Sequence, residues 1–74
     1  MIHEILINGR PVSLRKAESH TFHHAAMTGY DPDEVNAIWS RLIEGDYEDA
    51  LDAASELEAI DLDGSIEFIL HSPS

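Results

Sequence analysis

Seventy-four residues with four Lys/Arg against fifteen Asp/Glu, a formal net charge of −11 and no cysteine make one domain with a small core, no disulfide and no Cys-based zinc site. The charge excludes direct binding to DNA or RNA and docking on an anionic membrane, because both present phosphates that only Lys and Arg neutralise. It points instead to a basic protein or protein–RNA complex as partner.

The start, Met1-Ile2-His3-Glu4, lacks the positive flank and apolar run of a signal peptide. The longest apolar runs, Ile5–Ile7 and Phe68–Leu70, fall far short of the roughly 20 residues that span a bilayer. A cytoplasmic location is expected.

The first element in chain order is a hairpin turning at Asn8-Gly9, a pair suited to two consecutive residues with positive φ. That loop sets Ile7 against Arg10, Ile5 against Val12 and His3 against Leu14. Ile5, Ile7, Val12 and Leu14 then face the core, while Ile2 and Leu6 face outward. Pro11 lacks an N–H, so the second strand is an edge or is short. Ala17–Thr28 reads as a helix with Phe22, Ala25 and Ala26 on its inner side and Gly29 as its left-handed stop.

A second helix follows. Asp31 is its N-cap, Pro32 its first residue and Glu34 the reciprocal capping-box partner. Val35, Ile38, Trp39, Leu42 and Ile43 form its apolar stripe, and Gly45 ends it. Asp46 caps a third helix running to about Ile60, with Tyr47, Ala50, Leu51, Ala54 and Leu57 inward. Asp61-Leu62-Asp63-Gly64 makes a turn into a strand, Ser65–His71, with Ile66, Phe68 and Leu70 inward and Glu67, Ile69 and His71 outward. The tail, 72–74, is expected to fray. The fold class is therefore α+β in the order ββαααβ, a three-stranded antiparallel sheet with helices packed on one face.

Three groups of residues could carry chemistry. His20, His23 and His24 fall at i, i+3 and i+4 on the first helix, and the 20/24 spacing is the one H-E-x-x-H enzymes use for zinc. The intervening residues include no Glu, and no second His pair completes a four-ligand site. The expectation is a polar helix face with three solvated histidines and no metal. Asp61-Leu62-Asp63-Gly64 matches the middle of an EF-hand loop, but the first and twelfth loop positions become Ala59 and Leu70, so calcium is not expected. The serines sit in no recognisable nucleophile frame, and no G-x-G-x-x-G or P-loop is present. Neither enzyme activity nor a cofactor is expected.

The acidic segment is the stronger signal. From Glu44 to Asp61 there are eight acids and no Lys or Arg. Glu48, Asp52 and Glu56 recur every four residues as one stripe, although like charges at that spacing weaken a helix by a few tenths of a kcal/mol per pair. Glu56, Glu58 and Asp61 also sit at the unfavourable end of the helix dipole. Residues 1–16 carry +2 and residues 17–74 carry −13.

A carboxylate surface of this kind fits a basic groove where phosphates would otherwise lie. Glu48, Asp49, Asp52, Glu56 and Glu58 are the candidate partner-binding residues, with Asp33 and Glu34 behind them. In size, charge and α+β character the chain resembles phage-encoded inhibitors of host defence, including anti-CRISPR proteins. That resemblance implies an inhibitor or modulator that acts as a nucleic-acid mimic. The alternative is a structural or adaptor module, homodimeric through Ile2, Leu6 and Ile69 on the outer sheet face.

Overall fold

The computed structural model describes residues 2–70, and of the residues forming the first strand the side chains from Glu4 onward. Expectations for the side chains of Ile2 and His3, for His71 and for the tail 72–74 lie outside the described residues. The elements are β1 (Ile2–Ile7), β2 (Arg10–Pro11), α1 (Leu14–Thr28), α2 (Pro32–Glu44), α3 (Tyr47–Ile60) and β3 (Ile66–Leu70). The expected α+β order ββαααβ is the observed one. The sheet is antiparallel with β1 in the middle, in the order β2-β1-β3.

Local chemistry sets the hairpin. Asn8 and Gly9 hold φ of 55° and 77°, the paired left-handed conformation of a tight two-residue turn. Ile7 pairs with Arg10 and Leu6 with Pro11, the register the turn dictates. The strand ends there, since Pro11 cannot donate to a ladder. Leu14 therefore does not face His3: Ser13 leaves the strand, accepts the amide of Lys16 and caps α1 three residues earlier than expected. Leu14 opens that helix and is exposed.

β1 pairs along its length with β3, from Ile7 with Ile66 to Ile2 with Leu70. The ladder shifts between Ile2 and Glu4. On the outer face the pairs include Leu6 with Glu67 and Glu4 with Ile69, so Leu6 and Ile69 each stand opposite a carboxylate.

The core lies between the inner sheet face and the three helices. Ile5, Val35, Trp39, Leu42, Leu57, Ile60 and Ile66 are buried, joined by Ala17, Ala25, Ala50, Ala53 and Ala54. The stripe of α2 is the expected one, except that Ile43 is exposed. On α3 the buried face is rotated: Ala53 and Ile60 are inside and Leu51 is outside. Ala50, Ala53, Ala54, Leu57 and Ile60 share one face, and Leu51, one residue on from Ala50, is turned about 100° from it.

On α1 the buried residues are Ala17, Thr21, His24 and Ala25, with Phe22 half-buried and Ala26 exposed. Polar Thr21 is tolerated because the buried Trp39 Nε1–H donates to its Oγ1 at 2.8 Å, while the hydroxyl donates to the Glu18 carbonyl at 3.0 Å. The edge of Phe68 meets the Trp39 ring, with centroids 5.8 Å apart.

The joint between α2 and α3 is sterically closed. A Cβ at Gly45 would lie 2.5 Å from the Arg41 carbonyl and 2.6 Å from the Asp49 Cβ, although its φ of −76° suits any residue. Two substitutions test this frame by chemical denaturation followed by Trp fluorescence. Thr21→Val strands the Trp39 N–H in the core and should cost about 1–3 kcal/mol. Gly45→Ala should cost about 1–3 kcal/mol through overpacking against backbone.

Candidate functional site

Two regions of the surface and one buried cluster hold the residues with chemical potential. The cluster forms where the C-terminal end of α3 meets α1. Asp61 ends α3 and its amide still donates to the Leu57 carbonyl. Its side chain is wholly buried. Oδ2 accepts the amides of Ser65 at 2.9 Å and Ile66 at 2.7 Å together with the Ser65 hydroxyl at 3.2 Å. Oδ1 accepts the Asp63 amide at 3.3 Å and the His20 Nε2–H at 3.2 Å. Burial alone would raise the Asp61 pKa, but the amides of Ile66 and Asp63 and the hydrogen bond and charge of His20 outweigh it and hold the carboxyl below its ordinary value.

His24 completes the cluster. Its Nδ1 accepts the Leu62 amide at 3.2 Å, which places the ring proton on Nε2, 3.7 Å from the Asp63 carboxylate. Nδ1 also stands 3.6 Å from Asp61 Oδ1. The His20 and His24 rings stack obliquely with centroids 4.5 Å apart. The expected face of three solvated histidines is therefore corrected: His24 is buried, His20 is mostly covered, and His23 alone is exposed. Among the described residues, His20, His24 and Asp61 are the group whose potential ligand atoms converge within 4.8 Å.

The EF-hand match is resolved by the same bonds, because the Asp61 carboxylate points inward onto amides of its own turn. Periodicity could not find this cluster, since it counts His and Asp as outward residues. The usable signals were the 20/24 spacing and the Asp-x-Asp-Gly turn, and only the tertiary packing brings them together.

The second region is the acidic surface. Glu48, Asp49, Asp52, Glu56 and Glu58 on α3, and Asp33 and Glu34 on α2, are all exposed. They do not behave alike. Glu56 is engaged by Arg41 of α2 in an exposed ion pair, and Asp49 packs over Gly45 at the helix joint. Asp33 uses its amide to cap α2, donating to the Asp31 carboxylate at 2.9 Å. The Asp31 side chain thus bonds the second helical residue instead of Glu34. Asp52 and Glu58, with Glu48 in the first turn, stay clear of these contacts.

Between α2 and α3 runs a shallow groove of about 440 Å3, lined by Tyr30, Glu34, Ile38, Arg41, Glu56 and Ile60 among others. Its floor is apolar, and its walls carry the Arg41–Glu56 pair and Glu34. On the outer sheet face Leu6 and Ile69 are half-buried. No helix among the described residues is long and apolar enough to cross a membrane.

Comparison with protein-family models, with curated proteins and with solved structures finds no match, so the geometry alone carries the functional reading.

Replacing Asp61 by Ala strips the acceptor from three backbone amides and should destabilise the protein by about 3 kcal/mol or more. Asp61→Asn keeps one carbonyl oxygen and should lose less. Urea titrations of the two variants check the order.

Proposed function

We propose that this chain is a non-enzymatic binding protein that sets its carboxylate-rich α2–α3 surface on a basic site of another protein or a protein–RNA complex. The supporting observation is the state of the α3 acids: Glu48, Asp52 and Glu58 are exposed, and the nearby guanidinium of Arg41 is taken by Glu56. The basic residues Arg10, Arg15 and Lys16 lie in β2 and the first turn of α1, in other elements. A helix that displays carboxylates without interleaved Lys gives up pair stabilisation. It gains a field that steers it to a cationic surface.

Modulation by nucleic-acid mimicry follows from this chemistry, because a cationic groove built for phosphates is the natural counterpart. A phage inhibitor such as an anti-CRISPR protein is the biological class that fits. The alternative, a homodimeric adaptor joined through Leu6 and Ile69, has less support, since Glu67 and Glu4 stand opposite them in the ladder. Closing that face would desolvate carboxylates in both copies.

The test is affinity capture from lysate with stepwise salt elution, followed by competition with nucleic acid. Partner release should rise steeply with salt. The double variant Glu48→Gln/Asp52→Lys should bind at least about tenfold more weakly at low salt while keeping its fold, because it removes the 48/52 repulsion and sets a lysine four residues before Glu56. Affinity unchanged by both salt and the double variant would refute the docking surface. A dimer by light scattering would favour the adaptor.

A further inference from the structure

We propose that His20, His24 and Asp61 form a binding site for a single divalent transition-metal ion of the zinc type. The argument rests on ligand spacing. Zinc holds His nitrogen at about 2.0–2.1 Å and carboxylate oxygen at about 2.0–2.2 Å in a tetrahedron, so neighbouring ligand atoms lie about 3.3 Å apart. Here His20 Nε2 is 3.2 Å and His24 Nδ1 3.6 Å from Asp61 Oδ1. These two edges bracket the tetrahedral value, and all three ligand atoms lie within 4.8 Å of one another. The two histidines are four residues apart on one helix, so a single rigid element presents both rings.

The surroundings match what such a site requires. Asp61 is fixed by the Ser65 and Ile66 amides through Oδ2, which leaves Oδ1 as the oxygen that turns toward the rings. His24 coordinating through Nδ1 keeps its proton on Nε2, directed at the Asp63 carboxylate 3.7 Å away. A carboxylate behind a ligating histidine orients the ring and raises its basicity.

The ion takes the place of the proton on His20 Nε2, which leaves to solvent, while the ring carries its remaining proton on Nδ1. Coordination through His24 Nδ1 takes the acceptor of the Leu62 amide, a part-buried hydrogen bond that the ion replaces. Three protein ligands leave a fourth position for water, and the His20 side chain keeps 19% of its surface exposed. Borderline-soft nitrogen ligands with one carboxylate favour zinc, cobalt or nickel over calcium or magnesium. This inference is independent of the acidic docking surface, and either can fail without the other.

The test is calorimetric titration of zinc chloride into chelator-stripped full-length protein, with cobalt(II) absorption as a second readout. One equivalent should bind, raise the thermal midpoint and give the intense cobalt bands of a four-coordinate site. His20→Ala, at a partly exposed ring, should fold and lose at least tenfold in zinc affinity, whereas His23→Ala should bind like the parent. Absence of a one-to-one site in the parent would overturn the proposal. Equal zinc affinity in parent and His20→Ala would do so too, because it would place the ion on the surface carboxylates, and so would displacement of zinc by equimolar magnesium.

Discussion

The buried carboxylate of Asp61 is the constraint on which the rest of the structure depends. It ends α3, turns the chain through Gly64, receives the first amides of β3 and bonds the His20 ring of α1. Three elements of the fold, α1, α3 and β3, and the turn between the last two thus meet at two oxygen atoms. A charged group in the interior is costly unless every lone pair is used, and here backbone amides, a hydroxyl and an imidazole use them. Because its partners come from both layers, the same side chain sets how the helices sit over the sheet.

Much of this could be read from the chain. The Asn8-Gly9 turn, the early stop at Pro11, the capped α2 with its apolar stripe and the inward alternation of β3 follow from local rules that tertiary packing had no reason to override. The start of α1 was misplaced because Leu14 suits a strand, whereas the Ser13 hydroxyl favours a helix cap and prevails. The inner face of α1 was misread for a different reason. Thr21 and His24 are inside because Trp39 and the Asp61 turn provide their partners, and a partner from another element leaves no trace in local periodicity. Leu51 lies outside because the buried face centres on Ala50, Ala53, Ala54, Leu57 and Ile60, and one residue on from Ala50 is turned about 100° away.

The acidic surface was legible as composition but not as geometry. The sequence places Glu48, Asp52 and Glu56 on one stripe, yet Arg41 of the neighbouring helix removes Glu56 from the free set. An exposed pair of this kind contributes little stability, about 0–1 kcal/mol. Its larger effect is to leave Glu48, Asp52 and Glu58 as the uncompensated carboxylates of the candidate set on α3. The two candidate regions are also different in kind: one is a diffuse field at the surface, the other a compact set of ligands held by hydrogen bonds in the interior.

The pairing of β1 with β3 has a consequence for the order of events as the chain is made. Residues 2–7 and 66–70 are neighbours in the sheet, with about 60 residues of chain between them, so the ladder closes a loop whose entropy cost falls late. β1 emerges from the ribosome first and has only a two-residue partner until β3 arrives. Helical pairing of α1 with α2 and α3 involves nearer neighbours in sequence and is complete once the Asp61 turn has followed α3. The nascent protein is thus a helical layer waiting for its sheet, and the central strand is an open edge until the final strand is released.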